Sequence, residues 1–145
     1  MEINRKRFVA ACALVTVGLA GTGLAHAQWA ELLKEEGVNA FFDKQSVGRQ
    51  SINRFAWVLL DLSEPIRVSD KEYASRMERW RIDCAKDTAA VLSVSLFEKA
   101  QGKGEELVAF DAPDWRRPGN AIRPSTYVAQ LRRQVCPAND QLPSG

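Results

Sequence analysis

Arg76-Met77-Glu78-Arg79-Trp80-Arg81-Ile82-Asp83-Cys84 is the stretch on which the fold turns. From Arg79 onward the odd positions, Arg79, Arg81 and Asp83, are charged, while Trp80, Ile82 and Cys84 are apolar. Side chains alternate across a strand, so this pattern buries one face and wets the other, and it predicts a half-buried antiparallel strand instead of a helix. The strand ends in a cysteine. Only one other, Cys136, remains in the chain expected after export, and a bond between them closes a loop of about 50 residues, worth roughly 4 kcal/mol in the chain-entropy model. Such a bond ties the C-terminal end of the chain to this strand.

Far upstream, Arg5, Lys6 and Arg7 precede an uncharged apolar run over residues 8–24 and the tripeptide Ala25-His26-Ala27. These are the three parts of a secretory signal, with cleavage expected before Gln28. As an uncleaved anchor the run is barely long enough to span a bilayer, and Thr16, Gly18, Gly21, Thr22 and Gly23 weaken it as a helix. Cys12 stands at the start of the run, not at its end where a lipid-attachment cysteine belongs. The expected organisation is a signal peptide over residues 1–27, one β-rich domain over 28–137 and a polar, disordered tail over 138–145.

Removing the signal takes Glu2 and three basic residues from totals of 18 acidic and 20 basic, leaving the two signs balanced. A neutral domain gives no reason to expect a nucleic-acid partner. Cys12 and the single histidine, His26, leave with the signal. Two cysteines and no histidine in an exported chain favour one structural disulfide over a free-thiol site.

In order along the chain, Trp29, Leu32 and Leu33 fall at helical spacing before Gly37, which predicts a short amphipathic lead-in helix. Residues 38–43 read as a strand, 44–46 as a turn and 47–49 as an edge-like strand. Residues 54–62 are apolar at both parities from Phe55 to Leu60, a central strand expected to be covered on both faces. Ser63-Glu64-Pro65 is expected to end it, with a polar connection over 66–73. After Cys84, Lys86-Asp87 makes a hairpin turn. Residues 88–97 follow, with Ala90, Leu92, Val94 and Leu96 assigned to one face. Residues 101–104 form the next turn and 105–110 the last strand. Residues 111–124 read as a loop. Pro124-Ser125 then starts a helix with Ser125 as its cap, Tyr127, Val128, Leu131 and Val135 on its apolar side, and Cys136-Pro137 at its end. The fold class is α+β: an antiparallel sheet of about five to six strands with one C-terminal helix packed on it and disulfide-linked to it.

The order Phe42-Asp43, Ser46, Arg49, Trp57-Val58-Leu59 with Asp61, Ser75, Arg79, Ile82-Asp83-Cys84, Gly102-Lys103-Gly104, Trp115, Pro124-Ser125 and Cys136 resembles the surface-adhesin protein E family. The resemblance spans residues 28–136. It implies the sheet, the helix held by a Cys84–Cys136 bond and no enzymatic activity. It further implies kinship with proteins displayed on Gram-negative outer membranes that bind host matrix and plasma proteins.

The residues themselves also argue against catalysis. Without histidine the usual serine and cysteine triads and histidine-based metal sites are unavailable, and no cofactor is called for. Ser69-Asp70-Lys71 reads better as a turn than as a serine–lysine pair. Asp83 with Asp87, and Glu105 with Glu106, read as solvated turn and edge charges. Gly102-Lys103-Gly104 lacks the helix and Lys-Ser or Lys-Thr of a phosphate loop. Arg49, Arg54, Arg79 and Arg81 pair across strands in the plain reading, with Glu78, Asp83 or Asp61; in the functional reading they form a patch for an acidic protein or polysaccharide. Trp57 and Trp80 read as core. Trp115, Arg116 and Arg117, an amphipathic ring beside two arginines in a loop, have the composition of an interface hot spot and are the candidate partner-binding residues. The expected protein is thus an exported, non-enzymatic domain of the periplasm or outer-membrane surface that binds a protein or polysaccharide. The alternative is a periplasmic structural or envelope-accessory protein that docks on a membrane complex.

Overall fold

The computed structural model describes residues 27–138 and 141. The expected signal peptide, save Ala27, and most of the expected tail lie outside the described residues. Among the described residues, eight strands form one antiparallel sheet: β1 Trp29–Glu35, β2 Val38–Asp43, β3 Gly48–Gln50, β4 Asn53–Val68, β5 Lys71–Asp83, β6 Thr88–Lys99, β7 Lys103–Asp111 and β8 Asn120–Ala121. The main order is β1-β2-β4-β5-β6-β7, with the short β3 beside β4 and the short β8 beside β6. The sheet therefore has more strands than the five or six expected, the surplus coming from β1 and the short β8, whereas β3 matches the edge-like strand expected over 47–49. One helix, α1 Tyr127–Val135, lies on the sheet.

The lead-in helix is not formed. Residues 29–35 are β1, paired with β2 through a turn at Gly37, whose φ of +94° suits glycine. A register shift between Glu31 and Leu33 changes the strand's parity, so Leu32 and Leu33 both pack toward the core. That bulge reproduces the spacing that looked helical.

β4 does not stop at Pro65. Its ladder to β5 is interrupted between Asp61 and Ile66, and Pro65 sits in that gap, where no donor is needed. Pairing resumes from Ile66 opposite Tyr73 to Val68 opposite Lys71, and Ser69 adopts a positive φ of 57° in the turn. The expected polar connection is a hairpin.

On β6 the strict alternation fails for a similar reason. Arg79 faces Ser93 but Trp80 faces Val91, so Leu92 is an extra residue and parity flips there. Ala89, Val91, Val94 and Leu96 share the face of Ile82, Trp80, Glu78 and Arg76, so Val94 and Leu96 lie together as expected while Ala89 and Val91 stand there in place of Ala90 and Leu92. The expected loop over 111–124 carries β8 and a single 3-10 turn at Asp114–Arg116. Gly119 lets it approach the sheet, since a Cβ there would meet Thr88 Oγ1 at 2.7 Å.

The core lies between α1 and one face of the sheet. Ala40, Phe42, Ala56, Val58, Leu60, Ile82, Cys84 and Leu131 are buried there, and Tyr127, Val128 and Val135 pack against them. The helix cap is Thr126, not Ser125: Thr126 Oγ1 accepts from Ala129 N at 3.2 Å, while Ser125 takes a positive φ of 61° just before it. At the other end Cys84 and Cys136 are bonded, with Cα atoms 5.6 Å apart and a sequence separation of 52. Arg132 adds a second tie, donating to Asp87 and to the Cys84 carbonyl in the β5–β6 turn.

Candidate functional site

The two faces of β5 treat their charges differently. On the helix face, Glu78 is fully buried. Its Oε1 accepts from Arg76 Nε at 2.5 Å and from Arg76 Nη2, and its Oε2 accepts from Trp80 Nε1 at 2.7 Å and from the Tyr127 hydroxyl at 2.8 Å. Burial first, and then the negative charge of Glu78, push the Tyr127 phenol well above its ordinary range. Trp80 and Tyr127 meet edge to face, ring centres 6.2 Å apart. Four groups thus latch the start of α1 to the sheet, and this buried carboxylate is structural in its contacts.

Among the described residues, the opposite face carries no helix. Alternation there places Trp29, Phe41, Phe55, Trp57, Leu59, Met77, Arg79 and Arg81 on one side. Two loops cover its ends. The 3-10 turn Ala100–Gly102 folds over Leu59 and Met77, fixed by Gln101 N donating to Asp61 Oδ1 at 2.6 Å and Gly102 N to the buried Ser75 Oγ at 2.9 Å. Beyond it a hollow of about 380 Å³ lies between Trp29, Phe41, Leu59 and Gln101.

The second cover is the loop after β7, and Arg81 places it. Arg81 Nη1 donates to the Asp114 carbonyl at 3.1 Å and to the Asp114 carboxylate, and Nη2 donates to the Arg117 carbonyl at 2.7 Å. One guanidinium therefore grips both ends of the turn that carries Trp115 and Arg116. Arg117 is held inward: Nε donates to Val91 O at 3.1 Å, beside the β6 bulge, and its guanidinium lies 4.7 Å from the Phe110 ring centre. Arg116 is exposed, and the side chain of Trp115 lies outside the described part of the structure. Asp114 lines a cleft on the open face, whereas Arg117 lines a cavity of about 310 Å³ with Trp80, Pro118, Ile122 and Tyr127. The sequence-predicted trio thus sits on the rim between two hollows.

Between the loop and β3, the open face keeps a cleft of about 600 Å³ lined by Ser46, Gly48, Gln50, Phe55, Trp57, Arg79 and Asp114 among others. Phe55 and Trp57 are only half-buried, so β4 is central in the sheet but not covered on both faces. Arg79 is exposed, opposite Trp57 in register, with its guanidinium 5.8 Å from the Phe55 ring centre. Trp57, read as core from the sequence, is half-buried on the open face and lines this cleft. The available signal was the shared odd parity of Phe55 and Trp57 on one strand and Arg79 and Arg81 on the next. Among the described residues, no three His, Cys, Asp or Glu side chains stand together as metal ligands, and no helix is long and apolar enough to cross a membrane.

A disulfide-stapled antiparallel sheet, covered by a helix on one side and open on the other, defines a small β-rich scaffold. The Surface-adhesin protein E family model matches residues 29–137, and the chain belongs to that family. Among solved structures it is similar to protein E of Haemophilus influenzae, at 12% identity and a TM-score of 0.61 over 80% of this chain and 89% of that one. Protein E from non-typeable Haemophilus influenzae gives 14% identity and a TM-score of 0.60, covering 81% of each chain. At such identities the likeness establishes the fold. No curated protein matches at the sequence level.

Proposed function

We propose that this chain is an exported, non-enzymatic binding domain whose macromolecular partner docks on the open face of the sheet and on the rim formed by Trp115, Arg116 and Arg117. The observation that carries this reading is the aromatic character of that face. A one-sided antiparallel sheet ordinarily turns polar residues to water, but here Phe41, Phe55 and Trp57 are only half-buried and Trp29 is 37% exposed. Aromatic rings with arginine are the residues enriched where partners bind. Family membership over nearly the whole domain supports an adhesin-like role.

The test is capture of partners by the disulfide-intact exported chain, from envelope extract and from serum in parallel, with cell fractionation alongside. Capture weakened by Trp115→Ala with Arg116→Ala, or by changes on the open face, supports the reading. A partner held equally well by all these variants contradicts it. A protein confined to the periplasm, capturing only envelope components, is an envelope-accessory protein and not a host-facing adhesin.

A further inference from the structure

We infer that the cleft over Phe55, Trp57 and Arg79 is a subsite for one carboxylate-bearing sugar unit of an acidic polysaccharide. This rests on the binding reading above and names the chemistry of its partner. The volume, about 600 Å³, falls in the range of small-ligand sites. Phe55 and Trp57 are two positions apart on one strand, about 7 Å along it, and both line the cleft half-buried, an aromatic surface on which the apolar C–H face of a pyranose can rest. Arg79 stands over the first ring and opposite the second.

Charge complementarity selects an anion. Among the described residues, Arg79 has no carboxylate within ion-pair distance, whereas Arg81, two positions on and on the same face, is matched by Asp114. A cation held on an aromatic ring without a counter-ion is a ready partner for a carboxylate. The Asp114 carboxylate, pinned by Arg81, lines the same cleft. It accepts hydrogen bonds from hydroxyls, and against Arg49 and Arg79 in the same lining it leaves one net positive charge, so the fit is to a single carboxylate among hydroxyls. An acidic peptide fits less well. Phe55 and Arg79 lie on β4 and β5, whose backbone groups are already paired with each other, so strand addition is not available above them.

The test is calorimetric titration of the disulfide-intact exported chain, with tryptophan emission followed in parallel. The probes are a tetrasaccharide of alternating glucuronate and N-acetylglucosamine, the neutral N-acetylglucosamine tetramer, and polyglutamate. The acidic fraction of the producing cell's own surface polysaccharide forms a further arm. Binding of the glucuronate probe assigns the matrix-type source, and binding of the cell's own polymer assigns an envelope source; either supports the inference. Arg79→Met, which keeps the stem over Phe55, is expected to weaken the acidic probe about tenfold. Arg67→Met, at the exposed end of β4 and outside the cleft, is expected to leave it unchanged. No binding in either acidic saccharide arm overturns the inference, as does equal binding of the neutral tetramer, indifference to Arg79→Met, or polyglutamate competing at equal affinity. Protein capture that persists without saccharide binding removes this inference alone and leaves the broader reading standing.

Discussion

Arg76 and Arg79 lie three residues apart on β5 and face opposite sides of the sheet, and their surroundings differ accordingly. On the helix side Arg76 meets the buried Glu78, which also accepts hydrogen bonds from Trp80 and Tyr127, and among the described residues no buried side-chain nitrogen or oxygen there or elsewhere lacks a partner. On the open side Arg79 rests on a ring, exposed, with no carboxylate in ion-pair reach among the described residues. Polarity in the sequence does not separate the two. Burial does: a carboxylate inside the fold must be fully matched, while a cation in water need not be. The helix side is where stability concentrates, and the open side is where contact with another molecule is possible without loss of the fold.

The largest effect expected on the helix side comes from the staple. Cys84→Ala with Cys136→Ala should remove about 4 kcal/mol and lower Tm on the order of 15 °C, read by thermal melting of the intact and doubly substituted chains. Glu78→Leu should follow at about 3 kcal/mol in denaturant unfolding, because Arg76 and two part-buried donors lose their acceptor together. Tyr127→Phe should be smaller, about 1–2 kcal/mol. It should also change the alkaline limit. The folded phenol titrates above its unfolded value, so its contribution is complete below about pH 10 and is lost as the pH rises through the folded pKa. Wild type should therefore lose stability above pH 10 faster than Tyr127→Phe. At the bottom of the scale, Arg79→Met should shift unfolding by less than about 0.5 kcal/mol, as for an exposed residue with no ion pair. A large destabilisation by Arg79→Met would erase the distinction between the faces.

Much of this architecture was legible in the sequence where alternation was uninterrupted. Trp80, Ile82 and Cys84 announced β5, residues 38–43 matched β2, and the two remaining cysteines gave the staple that is observed. Misreadings fell at the bulges. An extra residue at Leu32 imitated a helical period, another at Leu92 exchanged the faces of the first half of β6, and the gap around Pro65 concealed a hairpin. Each bulge resets a period-two pattern that local reading assumes continuous. Tertiary partners were equally out of reach. Glu78 looked like a surface partner for arginine because Tyr127, which donates to it from α1, is 49 residues away. Arg81 looked solvated because Asp114 is 33 residues away. Of the rim residues, the sequence could mark the loop but not the internal contacts that turn Arg117 toward Val91 and Phe110.

Hydroxyl-radical footprinting of the exported chain, alone and with its captured partner, tests the division between the faces most directly. Protection of Phe41, Phe55 and Trp57 with unchanged labelling of Tyr127, Val128 and Val135 on α1 is the predicted result. Protection confined to α1, with the aromatic face labelled as in the free chain, would contradict it.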